Sequence, residues 1–191
     1  ISVTATAAQN PPPRLVLQIT VDALRGDLPQ RFANVLGEGG FRYLLDQGVN
    51  YTDAHYQHAN TETIVGHVTL ATGADPAVHG MVANLWFDRE TSMPVYNVQD
   101  PDFPLVGAAG VDAASEIDPT QRAATTDGRS PRNILSTTIA DEIALRYGDK
   151  ARIFGISIKD RGAIAMAGHA GQAYWFSKSE GRFVTSSFYR G

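Results

Sequence analysis

Cysteine is absent from the 191 residues, and with it go a disulfide framework, a thiol nucleophile and any zinc site built on thiolates. No apolar run approaches the roughly 18 residues that a membrane-spanning helix needs. Basic residues are not in excess. Sixteen lysines and arginines against 20 acidic residues give a formal charge of −4, which argues against a general nucleic-acid binder. Neither a membrane nor a nucleic-acid partner is therefore expected. A Walker-type lysine loop, G-x-G-x-x-G and G-x-S-x-G are all missing, so the families they mark have no support. Internal repeats and low-complexity tracts are missing too. What is present, 43% hydrophobic and 19% charged residues, is a globular composition long enough for one core of ordinary size.

Residues 1–13 (ISVTATAAQNPPP) are small and polar and end in three prolines. They have neither the basic start nor the apolar block of an intact signal peptide. They read as a disordered lead-in to a mature exported domain, periplasmic or secreted. Residues 14–21 (RLVLQITV) form a nearly continuous branched apolar run, the pattern of a buried parallel strand, and Asp22 falls at its C-terminal end. A helix is predicted over 41–47 before Gly48, a second strand over 49–56, and a helix over 64–72 that stops at Gly73. A turn at Asp75 and Pro76 and a short strand over 82–87 follow. Residues 98–129 are polar and without periodicity, and read as a long surface excursion with a small helix of its own. Ser130 as N-cap and Pro131 at the first helical position predict a helix reaching to Gly148, with Leu135, Ile139, Ile143 and Tyr147 on one face. A buried strand over 151–158 and a final hairpin over 174–176 and 182–189 complete the pattern. Strands alternating with helices predict an α/β fold, a mostly parallel sheet flanked by helices.

Four places along this pattern offer chemistry. Ligands gather outside the strand ends of open α/β sheets, so Asp22 is placed either to bind a metal or to cap a turn beginning at Ala23. Thr63 stands just before a helix, where free backbone N–H groups favour an anion; it is either an N-cap or a nucleophile awaiting activation, with Thr61 as the runner-up. Lys159 and Arg161 follow a strand in a K-x-R arrangement. They either bind two phosphate oxygens, with Asp160 opposite, or make a solvated turn in which Asp160 pairs with a neighbour. Asn84 can donate to a phosphoryl oxygen without adding charge, or can serve as a turn residue. The pair His55 and His58 would face opposite sides of a strand, Asp75 and His79 belong to a turn, and His67 reads as a hydrogen-bonded helix residue.

Taken together these segments resemble the alkaline phosphatase superfamily, in its threonine-nucleophile monoesterase branch. Val21-Asp22 looks like the early strand ending in a metal-binding aspartate. TETIVGH at 61–67 matches a T-E-T-x-x-G-H segment, with Thr63 in the attacking position. PAVHG at 76–80 and NLWFD at 84–88 are similar to P-x-x-H-G and N-x-W-[FY]-D, and KDRGAI at 159–164 resembles the K-D-R-x-A-I segment of monoesterases.

The resemblance implies an alkaline-phosphatase-like catalytic domain, of which residues 14–191 are the N-terminal portion, incomplete in this chain. It implies a zinc-dependent phosphoric monoester hydrolase with a phosphothreonine intermediate and two zinc ions per complete site. Thr63 would be the nucleophile, Asp22 and the Thr63 oxygen metal ligands, and Asn84, Lys159 and Arg161 the phosphate contacts. Most of the family's metal ligands have no counterpart here, so the expected partners are a phosphate monoester and a C-terminal portion of the same enzyme, and the chain alone is expected to be inactive. The competing expectations are a phosphodiesterase or nucleotide pyrophosphatase of the same superfamily, and a non-catalytic binding domain that keeps the fold. A sulfatase would need a C/S-x-P-x-R motif, which is missing.

Overall fold

The computed structural model describes residues 13–110, 114 and 116–190, so all of the expected lead-in except Pro13 lies outside the described residues. In chain order the elements are α1 (Leu28–Arg31), α2 (Phe41–Gln47), α3 (Thr63–Thr72), α4 (Pro76–His79), β1 (Leu85–Asp88), β2 (Met93–Tyr96) and β3 (Leu105–Val106). They continue with α5 (Pro119–Arg122), α6 (Ile139–Tyr147), β4 (Phe154–Ser157), α7 (Asp160–Ala167), β5 (Gln172–Ser177) and β6 (Arg182–Ser186). No helix among the described residues is long and apolar enough to cross a membrane.

The core forms where α3 and α7 pack together and α7 lies on β4 and β5. Ile64, Val65 and Val68 of α3 meet Ala163, Ile164 and Ala167 of α7, all without solvent exposure. Small residues on α7 let it approach the sheet closely. A Cβ on Gly155 of β4 would stand 2.1 Å from the Ala163 carbonyl oxygen, so only glycine fits between strand and helix. Helix α3 ends as its sequence predicts, at Gly73, whose φ of 67° is the left-handed stop that glycine adopts freely.

The fold is α/β, but the described sheet is mixed, not mostly parallel. Its order is β3-β6-β5-β4, and only β4 and β5 run parallel. The β5–β6 pair is the expected terminal hairpin. The two strands predicted first are not formed. Residues 14–21 make no ladder with any described strand, and Leu15, Leu17 and Ile19 are exposed. A branched apolar run shows that burial would be favourable; it does not supply the neighbour that a strand needs. Residues 49–56 turn at 52–53, and Asp53 spends its carboxylate on the nearby His55 ring at 3.0 Å.

Other boundaries also move. The strand predicted over 82–87 is β1, paired antiparallel with β2, and Asp88 closes the turn by accepting from the Glu90 and Thr91 N–H groups. The turn at Asp75 and Pro76 is one turn of helix, α4. Helix α6 begins at Ile139, with Thr138 and not Ser130 as its N-cap. There a capping box operates: the Thr138 hydroxyl accepts from the Asp141 N–H, and the Asp141 carboxylate accepts from the Thr138 N–H. Leu135 consequently lies outside the helix and is exposed.

The stretch over 98–129 is not wholly superficial. Asp100, Glu116, Asp118, Gln121 and Arg129 are buried, β3 joins the sheet beside β6, and α5 is the small helix expected.

Candidate active site

The N-terminus of α3 is held by side chains from the neighbouring loop. Asn84 Oδ1 accepts from the Ile64 N–H at 3.1 Å, and the Glu62 carboxylate accepts from the Asn84 N–H at 2.5 Å. Asn60 reaches the Val82 carbonyl at 2.7 Å. This reciprocal lacing fixes Thr63, the first residue of α3, at the positive end of a ten-residue helix. The Thr63 hydroxyl donates to Asp22 Oδ2 at 3.2 Å. Two residues 41 positions apart in sequence, singled out separately, thus stand in contact. Among the described residues the Asn84 side-chain NH2 donates to no protein acceptor, while the Asn84 backbone carbonyl accepts from Asn97 Nδ2 at 2.5 Å.

Lys159 and Arg161 come together as well, on a carboxylate that sequence reasoning missed. Asp118 Oδ2 accepts from Lys159 Nζ at 2.5 Å and from Arg161 Nη2 at 3.0 Å. Burial works to raise the Asp118 carboxyl. Hydrogen bonds from Lys159 and Thr120 and the Arg161 charge outweigh it and hold the group well below the usual carboxylate range. A signal was available: Asp118-Pro119 is an N-cap followed by proline at the first helical position, and the Asp118 side chain does accept from the Thr120 N–H.

Asp160 does not stand free opposite the cations. It is fully buried at the start of α7, where it accepts from Arg129 Nε at 2.6 Å, the Tyr96 hydroxyl at 2.6 Å and Gln121 Nε2 at 2.9 Å. Burial raises its carboxyl, but Arg129 and these donors leave it lowered. Arg129 also lies over the Tyr96 ring, 5.1 Å from its centroid.

The two clusters share no direct hydrogen bond among the described residues. They are linked through adjacent residues of one strand end: Asn97 holds the Asn84 carbonyl, and the hydroxyl of Tyr96 meets Arg161 Nη1 at 3.5 Å. Each histidine has a local partner. His67 Nδ1 donates to the Thr63 carbonyl, His58 contacts the Asn60 carbonyl, and buried His79 accepts from the Met81 N–H. His169 pairs with Asp141.

The donor set fits zinc in part. Asp22 and Thr63 present two oxygens side by side, as one ion's shell requires, but a zinc site takes about four ligands. Among the described residues no group of three or more His, Cys, Asp or Glu side chains could hold a metal ion.

The type I phosphodiesterase / nucleotide pyrophosphatase family profile matches residues 16–143. Alkaline phosphatase PafA of Elizabethkingia meningoseptica is 34% identical over 180 residues, 94% of this chain and 31% of that protein. Alkaline phosphatase PhoV of Synechococcus elongatus is 33% identical over 178 residues, 93% of this chain and 30% of its own length. The crystal structure of wild-type PafA matches with a TM-score of 0.76 at 34% identity, covering 88% of this chain and 30% of that one. A PafA mutant with a threonine, an asparagine, a lysine and an arginine substituted matches with a TM-score of 0.77 at 32% identity, at the same coverage. The chain therefore spans about a third of the length of the curated relatives it matches.

Proposed function

The chain belongs to the type I phosphodiesterase / nucleotide pyrophosphatase family, within the alkaline phosphatase superfamily, and on that premise we propose that it carries the nucleophile and phosphate contacts of a phosphate monoesterase. The observation that carries this reading is the Thr63 hydroxyl resting on Asp22 at the N-terminus of α3. The chemistry proposed is two-step phosphoryl transfer. Thr63 Oγ gives up its proton to solvent and forms a bond to phosphorus in line with the P–O bond that breaks, and the alcohol leaves with a proton from solvent. Water then cleaves the phosphothreonine, restoring Thr63 and releasing inorganic phosphate. Asn84, through its unengaged NH2, and Lys159 and Arg161 bind the non-bridging oxygens.

Asp22 and Thr63 would hold one of two zinc ions, with the remaining ligands in a C-terminal portion of the same enzyme. Zinc, when bound, lowers the pKa of a coordinated hydroxyl and offsets charge on phosphoryl oxygens. The substitutions named for the PafA mutant support the choice of residues. Its threonine and asparagine stand 21 positions apart, as Thr63 and Asn84 do, and its lysine and arginine two apart, as Lys159 and Arg161 do. Export to the periplasm or beyond is the reading of residues 1–13, small and polar and ended by three prolines.

The matched family profile favours one second reading, a phosphodiesterase with the same nucleophile. A diester carries one fewer negative charge, which leaves the Lys159 and Arg161 pair with less to do. Zinc content and turnover of the full-length protein test the proposal. Close to two zinc ions per molecule, with hydrolysis of p-nitrophenyl phosphate lost to chelator and restored by zinc, is the expected result. Zinc-free protein that binds phosphate esters without turnover would establish a binding domain instead, and faster hydrolysis of bis-p-nitrophenyl phosphate would favour the diesterase.

A further inference from the structure

Asp118 divides its two oxygens between different tasks. Oδ1 accepts from the Thr120 N–H at 2.9 Å and hydroxyl at 2.6 Å, which fixes the carboxylate at the start of α5. Oδ2 takes both cations. Those cations differ in freedom. The Arg161 side chain is 4% exposed and is bonded to Thr120 Oγ1 and the Tyr96 hydroxyl as well as to Asp118. The Lys159 side chain is 38% exposed, and its ammonium sits on a flexible stem that can rotate off the carboxylate into solvent. A phosphoryl group arriving from water meets Lys159 first.

We propose that Asp118 is a positioning residue that sets specificity: its carboxylate competes with a bound phosphoryl group for the Lys159 ammonium, and yields it to a dianionic monoester more readily than to a monoanionic diester. This rests on reading Lys159 as a phosphate contact. Leaving Asp118 for a diester exchanges one single negative charge for another, so the ammonium gains little. Leaving it for a monoester gains a second charge. Arg161 keeps Nη2 on Asp118 in both cases and has its unpartnered Nε left for phosphate, so the buried carboxylate keeps one cationic partner and the exchange does not strand it.

The test uses full-length, zinc-loaded enzyme with p-nitrophenyl phosphate and bis-p-nitrophenyl phosphate. Asp118→Asn preserves shape and an acceptor for the Thr120 N–H. Monoester kcat/KM should rise about two- to fivefold, the span expected of a half-exposed ion pair, and diester kcat/KM should gain less, because the monoanion attracts the freed ammonium more weakly. The ratio of monoester to diester activity therefore rises. An equal loss on both substrates would show that Asp118 is only a structural counter-ion, and would overturn the proposal. Lys159→Ala separates this inference from the reading beneath it. Undiminished monoester kcat/KM in that variant removes Lys159 from the phosphate site altogether. A clear monoester loss there, with an unchanged ratio in Asp118→Asn, defeats the competition alone. A crystal structure of the wild-type enzyme with inorganic phosphate needs no variant to fold. Lys159 Nζ should lie on a phosphate oxygen and off Asp118; an ammonium still on Asp118 beside bound phosphate would overturn the proposal.

Discussion

A threonine hydroxyl attacks nothing until it is activated and the developing charge has a partner. The Thr63 hydroxyl donates a hydrogen bond to Asp22, and Thr63 is the first residue of α3, at the positive end of the helix. At this scale the candidate site was largely legible, because chemistry that needs unusual residue types at fixed spacings leaves a mark in sequence. TETIVGH and KDRGAI were readable for that reason. Asp118 was not, because an acidic residue in a polar stretch looks like any solvated turn until the fold brings it to Lys159 and Arg161. The paired cations give a prediction. Replacing Lys159 and Arg161 together by alanine should lower monoester kcat/KM about tenfold or more beyond any loss on diesters, since the second phosphate charge loses its partners. Parallel thermal denaturation would separate this from misfolding, and an equal loss on both substrates would assign the pair to stability.

Helix starts show how a correct local signal can be placed wrongly. Ser130-Pro131 has the form of an N-cap and first turn, yet the N-cap of α6 is Thr138, whose box with Asp141 satisfies two N–H groups at once. The stronger cap wins because it leaves fewer orphan donors. Asp141 also accepts from His169 Nδ1 at 3.0 Å and from the His169 and Ala170 N–H groups, so one carboxylate ties α6 to the end of α7. Thr138→Ala should cost about 1 kcal/mol in denaturant unfolding of the full-length protein. A change within error would show that the cap is redundant.

The same junction carries a pH signature. The hydrogen bond to Asp141 raises the His169 pKa, against the opposing effect of burial. Its stabilisation is therefore present below the ordinary histidine value of about 6.5 and is lost as pH rises through the raised folded value. Burial works to raise Asp141, but hydrogen bonds from His169 and Thr138 hold it low, so its contribution is present above about pH 4 and is lost in acid as pH falls through the depressed value. His169→Gln should accordingly destabilise the protein more at pH 5.5 than at pH 9. An equal cost at both values would mean that the ring acts by packing alone.

For the molecule as a whole, the α/β class was legible and the sheet was not. Hydrophobic periodicity reports which side of a segment prefers burial, while strand direction depends on neighbours chosen by the rest of the chain. Residues 14–21 illustrate the difference: the run is apolar and exposed and forms no ladder with any described strand, and β4, at the edge of the four-stranded sheet, also exposes Phe154 and Ile156. Such an edge with apolar surface is an association site. The 191-residue chain expressed alone should therefore bind a hydrophobic dye and show no zinc-dependent phosphatase turnover, whereas a monomeric, cooperatively folding and active product would refute that expectation. The central claim is that phosphate passes through Thr63, and the most direct measurement is acid-quench trapping of the full-length enzyme with a labelled monoester, followed by peptide mapping. The account predicts covalent phosphate on Thr63, abolished in Thr63→Ala and retained at least in part in Thr61→Ala. Label on Thr61, or undiminished turnover in the Thr63 variant, would contradict it.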